Sequence, residues 1–475
     1  MKDRSAPTET RSLAFAIRNI LNPPLSRSRF MSVSELEGYH GEILRRLKSA
    51  NAKVGDIVRI TTRTREVFEG ALFPRSEYAD PNHIVLKLKN GYNVGIHFQR
   101  TEKIEVIGGG QKPHFTRPSP PSKQPGLPRV AIISTGGTIA SRVDYRTGAV
   151  QPALTAADLA SVVPELANIA EVEADILFSE LSENVTPSQW KTLAEDISRR
   201  ITEGVSGVVV SQGTDTMHYT AAALSFALQH IPVPVLLVGA QRSSDRPSSD
   251  AASNLTGAVA MAANADLGVV GVTMHQDLSD RYIIVHRGTR VRKCHTSRRD
   301  AFKSINSNPL ARYDLHTRQI EYFESPPRRR SDHNFSLKPD FDHHAYLLKF
   351  YPGFDPQLID AAVKAGARGL VLEGTGLGHV SKYCYDSIRN AVKNDVPIFM
   401  TSQTIWGRVD MNVYVTGRDL LNLGVVPLED MIPETALVKL MWVLGQTRSI
   451  DKVHGLMLQP IAGEITERTA ITEAA

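Results

Sequence analysis

Six short, uninterrupted apolar runs constrain this chain more than any other feature. They are Val130-Ala131-Ile132-Ile133, Gly207-Val208-Val209-Val210, Val235-Leu236-Leu237-Val238, Val269 to Val272, Gly369-Leu370-Val371-Leu372 and Pro397-Ile398-Phe399-Met400. A strand that is apolar at every position must be covered on both faces. Helical stretches such as Ala221 to Leu228 and Pro356 to Ala365 lie between the runs. The alternation predicts an α/β fold with a mostly parallel sheet under helices on both sides.

Before these runs the period changes. Asp56-Ile57-Val58-Arg59-Ile60-Thr61, Val67 to Leu72, Ile84-Val85-Leu86-Lys87-Leu88 and Tyr92-Asn93-Val94-Gly95-Ile96 are short alternating segments, with turn residues such as Asn90-Gly91 between them. That spacing predicts a small antiparallel β-barrel over residues 52–107, preceded by a helix from Glu35 to Leu47 within residues 31–51. Aromatic and basic residues are not interleaved in the module as a nucleic-acid stacking platform requires, so it reads as a packing or docking unit. Residues 1–30, with scattered Arg and Ser ahead of Met31, read as a flexible extension or an early start codon. Gly- and Pro-rich residues 108–128 read as a linker. A second break, 326–344, containing Pro326-Pro327-Arg328-Arg329-Arg330, divides the α/β region into a larger lobe, 129–325, and a smaller one, 345–445, followed by a tail, 446–475.

Bulk composition excludes several classes. The 475 residues carry 55 Lys+Arg against 50 Asp+Glu, a net charge of only +5, so nucleic acid is permitted but not demanded. Two distant cysteines, Cys294 and Cys384, support neither a disulfide framework nor a thiolate zinc site. No apolar run approaches the roughly 20 residues of a membrane span, and no secretory signal is evident, so a cytoplasmic location is expected.

Chemistry in such sheets gathers past the carboxyl ends of strands. Two hydroxyl-rich turns sit there: Ser134-Thr135-Gly136-Gly137-Thr138-Ile139-Ala140 and Ser211-Gln212-Gly213-Thr214-Asp215-Thr216. Taken singly, the second is as well explained by helix capping, and the first by a phosphate cradle. Together with Phe302-Lys303-Ser304 and Ser182-Glu183-Asn184-Val185-Thr186-Pro187, however, they resemble in order and spacing the signatures of the L-asparaginase family of threonine amidohydrolases, over residues 129 to 445.

That resemblance implies Thr138, Thr214, Asp215 and Lys303 as catalytic residues and Tyr145, Ser182 and Glu183 as substrate-binding residues, with Thr138 and Tyr145 on a mobile loop. Which threonine attacks is left open. Amide hydrolysis needs a hydroxyl made nucleophilic by a base and donors for the oxyanion, so Lys303 is expected to handle protons beside Thr214. No cofactor or metal is expected in this chain. Gln212 departs from the family, which more often has histidine there.

Segments outside those motifs, including Asn90 to Ile96, Ser141 to Gly148, Gly239 to Pro247 and His295 to Ser304, resemble the GatD family of archaeal-type glutamyl-tRNA(Gln) amidotransferases from Met31 onward. This implies a glutaminase working with a GatE partner, a homodimer within a heterotetramer, with ATP and Mg used by the partner and tRNA(Gln) bound mainly through it. The alternatives are a free-standing asparaginase or glutaminase, which normally lacks the β-module, and a non-catalytic scaffold. The basic run Arg287 to Arg299 is expected to order the active-site loop, Gly374 to Gly378 to form a tight strand-to-helix turn, and His343-His344 to have no ligand role.

Overall fold

A computed structural model describes residues 36, 38–75, 80–88, 93–109, 126–137, 141–143, 150–152, 163–242, 248–323 and 334–468. The extension 1–30, most of the 108–128 linker and the start of the second break lie outside the described residues.

The N-terminal unit is a helix on an open five-stranded sheet. Helix α1, Gly41–Ser49, starts later than the periodicity predicts, because Leu36 and Tyr39 lie in the preceding turn and still pack with Ile43 and Leu47. The Tyr39 hydroxyl donates to the Phe73 carbonyl at 2.7 Å, which ties that turn to the sheet. Strands β1 (Ile57–Thr62), β2 (Val67–Leu72), β3 (His83–Lys87) and β4 (Asn93–His97) fall where the alternation places them. A fifth, β5 (Thr101–Gly108), pairs antiparallel with β1 and ends on the first residue of the expected linker. The order β4-β3-β2-β1-β5 leaves β4 and β5 as edges.

The larger lobe is built on an eight-stranded sheet. Strands β6 (Arg129–Ser134), β7 (Glu171–Ile176), β8 (Gly207–Ser211), β9 (Val235–Val238) and β10 (Val270–His275) run parallel in the order β7-β6-β8-β9-β10. Strand β11 (Tyr282–Arg287) then adds antiparallel to β10. A short hairpin, β12 (Val291–Lys293) with β13 (Phe302–Ser304), leaves the sheet, and β14 (Ala311–Asp314) and β15 (Ile320–Tyr322) complete the edge. Alternate residues of one strand enter opposite cores. Ala131, Ile133, Val208 and Val210 pack under helices α2 (Pro187–Thr202) and α3 (Met217–Ala227), whereas Val130, Ile132 and Val209 pack under α4 (Ala251–Asn264). The uninterrupted apolar runs follow directly from this double coverage.

The smaller lobe is a parallel sheet, β16 (Ala345–Lys349), β17 (Gly369–Gly374), β18 (Ile398–Ser402) and β19 (Val426–Pro427). One face is covered by α5 (Gln357–Lys364), α6 (Tyr385–Lys393) and α7 (Val415–Asn422). The other packs on α8 (Pro433–Gln446), which in turn lies against α3, so α3 is apolar all round.

The described residues after 445, up to 468, are packed on the lobes and do not form the expected tail. Helix α9 (Ile450–Leu458) buries Val453 and Met457, and the following strap crosses the lobe boundary. There Glu464 meets Lys439, Thr289 Oγ1 donates to the Ala462 carbonyl and Arg290 Nε to the Gly463 carbonyl, both near 3 Å. Lys439 and Glu464 are fully buried, and the Lys439 amine also donates to the carbonyls of Met457 and Gln459. Removing one partner of such a pair strands the other. Lys439→Met is therefore expected to destabilise the protein by about 3–5 kcal/mol, measured by urea unfolding; an unchanged midpoint would contradict this account of the strap.

Candidate active site

The parallel strands β6 and β8 end side by side, and their exit turns meet there. Thr135 Oγ1 donates to the Ser211 carbonyl at 3.0 Å. Gly137, at φ +83°, approaches the second turn so closely that a Cβ would lie 2.5 Å from the Gly213 nitrogen, and one on Gly136 would lie 2.2 Å from the Glu180 carbonyl oxygen. These contacts require glycine at both positions. Thr138 and Tyr145 lie outside the described residues.

The second turn does not serve as a simple helix cap. Thr216 Oγ1 donates to the Ser182 carbonyl at 2.6 Å, and the hydroxyl and carboxylate before it turn to a lysine. Lys293 Nζ lies 2.7 Å from Thr214 Oγ1 and 2.7 Å from Asp215 Oδ1. Ser182 Oγ donates to the other Asp215 oxygen at 3.2 Å. The Lys293 side chain is 9% exposed while that of Asp215 is 70% exposed, so the amine is enclosed and the carboxylate faces outward. Hydrogen bonding from Lys293 holds the Asp215 carboxyl below the usual range against a smaller opposing effect of burial. Glu183 is exposed beside them. Behind the turn, burial pushes His218 down to about 4, helped by Arg292 and Lys293, so it is neutral at pH 7.

Lys303 is not part of this group. Its amine binds Asp300 at 3.1 Å. In the β12–β13 hairpin, Lys303 stands opposite Arg292, and Lys293 opposite Phe302. Directly opposed residues share a face and neighbours alternate, so Lys293 lies on the face of buried Val291 and Phe302, and Lys303 on the other. The signal is present in the sequence: Val291 and Phe302 mark the inward positions, and Lys293 is two residues from Val291.

The remaining site features are supporting. Gln212, 1% exposed, donates from Nε2 to Thr220 Oγ1 at 3.0 Å, an oxygen that also accepts from Trp190 Nε1, so an amide provides the buried donor here. The basic run is engaged internally: Arg290 with Asp430, Arg292 with Glu434, Arg298 with Asp300, Arg299 with Asp280. Thr375 and His379 bridge across the tight turn that contains Gly376 and Gly378. Among the described residues, Asp342, His343 and His344 bring donor atoms within 4.8 Å of one another, but Asp342 is already bonded to Arg368 and His344.

Comparison with known proteins places these elements. Residues 129–328 match the asparaginase N-terminal family, 345–457 the glutaminase/asparaginase C-terminal domain, and 52–107 the GatD N-terminal domain. The GatD component of the glutamyl-tRNA(Gln) amidotransferase of Methanopyrus kandleri is 50% identical over 440 residues, covering 91% of this chain and 95% of that protein. Its counterpart in Pyrococcus abyssi is 49% identical, covering 89% and 97%. The chain belongs to the GatD family of glutamyl-tRNA(Gln) amidotransferase subunits. Its two lobes are similar to the thermostable L-asparaginase from Thermococcus kodakarensis, with a TM-score of 0.64 and 30% identity over 72% of this chain and 100% of that one. L-asparaginase I from Vibrio cholerae gives 0.63 and 27% over the same shares. The family's extra N-terminal domain coincides with the open β-sheet unit described above.

The glycine contact yields a test. Gly137→Ala must move the first turn away from Gly213 and is expected to lower amide hydrolysis by roughly a hundredfold. Gly353→Ala, at φ +86° with nothing within 4 Å, is the control; it is expected to cost about 1–2 kcal/mol of stability and little activity. Equal activities of the two variants would refute the close approach.

Proposed function

We propose that this chain is the glutaminase component of a tRNA-dependent amidotransferase, releasing ammonia from glutamine. The observation that carries the reading is the single Lys293 amine shared by Thr214 and Asp215, on the scaffold of the GatD family. A lysine at 2.7 Å from a threonine hydroxyl can take its proton when the amine is neutral, and return it to the departing nitrogen. The outward carboxylate of Asp215, with Ser182 and Glu183 beside it, suits the α-ammonium end of an amino acid. Thr138 and Tyr145 complete the set by family resemblance, and the order of attack by the two threonines stays open between them.

The ammonia is used by a partner. ATP, Mg and the glutamylated tRNA(Gln) are handled by GatE, with a homodimer of this chain at the centre of a heterotetramer in the cytoplasm. No helix among the described residues is long and apolar enough to cross a membrane. The N-terminal unit, an element that 100% coverage of a free asparaginase leaves unmatched here, supports the complex over a free-standing enzyme.

Two measurements test the proposal. Lys293→Met is expected to reduce glutamine hydrolysis by about a thousandfold or more, as removal of a catalytic base does, with Lys303→Met within about threefold of wild type; the reverse ranking would return the role to Lys303. With GatE, ATP and glutamyl-tRNA(Gln), the chain is expected to support amidation with glutamine as nitrogen donor, and its glutaminase rate to rise on adding partner and tRNA. A full rate alone, unchanged by either, would favour a free hydrolase.

A further inference from the structure

The segment that delivers Lys293 is held by the smaller lobe at residue after residue. The Thr289 carbonyl accepts from Thr435 Oγ1 at 3.0 Å. Arg290, fully buried, pairs with fully buried Asp430 at 2.9 Å. Arg292 Nε pairs with Glu434 Oε1 at 3.0 Å. Both Thr435 and Glu434 lie in the first turn of α8, so one helix end grips the strand next to the lysine.

Glu434 is unusual among these grips. It is only 7% exposed, and its Oε2 is buried without a hydrogen-bond partner. Such a group is costly and needs a reason. The charged and titratable groups facing it are Arg292 from β12, Cys294 just after it, Lys349 from β16, Glu373 from β17 and Tyr219 from α3. Lys349 is bonded to Glu373 at 2.9 Å, which leaves Arg292 as the cation paired with Glu434.

Strand geometry converts that grip into aim. Arg292 and Lys293 are neighbours on β12 and leave opposite faces, one toward α8 and the other toward Thr214. Fixing the first fixes the direction of the second. We infer that Glu434 is a positioning residue for amide hydrolysis: by holding Arg292 across the lobe boundary it keeps the Lys293 amine within hydrogen-bond distance of Thr214 and Asp215. The inference rests on the proposed role of Lys293. Burial pushes the Glu434 carboxyl up, so the grip is lost as pH falls through that raised value.

The test is the glutaminase activity of the full chain. Glu434→Gln, isosteric and uncharged, is expected to lower kcat roughly ten- to a hundredfold, with KM within about twofold because substrate contacts are unchanged. Adding Arg292→Gln to it should cause no further loss, since both act through one contact. Wild-type kcat in Glu434→Gln, or losses that multiply in the double variant, would each overturn the inference. Should Glu434→Gln fail to fold, Arg292→Gln serves the same purpose, and wild-type kcat there is equally fatal. Lys293→Ala separates the two levels: activity in that variant sinks the role of the lysine itself, whereas an inactive Lys293→Ala beside a fully active Glu434→Gln sinks only the positioning role.

Discussion

One ammonium group serving two oxygens of the same turn is the constraint on which the rest of this structure depends. Lys293 and Asp215 are 78 residues apart in sequence, yet the amine meets both Thr214 and Asp215 at 2.7 Å. A flexible four-carbon side chain cannot supply that accuracy from a loose backbone. The turn after β8 is fixed from below by two opposed cores and from above by Gly137. The lysine is fixed by a hairpin whose outer face is tied to the other lobe. The larger lobe therefore supplies all three groups, and the smaller lobe holds the strand that aims one of them.

The electrostatics follow from the enclosure. Hydrogen bonding from Lys293 on the protein side holds Asp215 ionised, and its exposure leaves it open to solvent. His218 sits neutral behind them and adds no charge of its own to the pair. The carboxylate has one oxygen engaged by Lys293 and the other by Ser182, a weaker donor.

Much of this is legible in the sequence. The six apolar runs become strands because double coverage leaves no polar alternative, and the two glycine-bearing turns stand out because their spacing has few other uses. Ser182, Thr214 and Asp215 come together as the motifs imply. Lys303 is easily taken for Lys293 because a motif gives order and not facing; only the pairing of Lys293 with Phe302 and of Lys303 with Arg292 decides which amine turns inward. Strand β5 is hard to see because Glu102, Lys103 and Glu105 hide its alternation on an exposed edge. The strap of residues 461–468 is harder still, since its buried partners, Lys439 and Arg290, are long-range contacts that no local period reports.

That strap gives the chain an order of completion. Synthesis delivers the turn of Thr214 first, the hairpin of Lys293 next, and the segment that carries Ala462, Gly463 and Glu464 after both. Until that segment leaves the ribosome, Thr289 and Arg290 lack its carbonyl oxygens and Lys439 lacks its carboxylate. Larger proteins fold domain by domain as they emerge, so the sheet of the larger lobe can form while its hairpin is still unclamped. Without that segment the hairpin of Lys293 lacks part of the clamp that it has in the folded molecule.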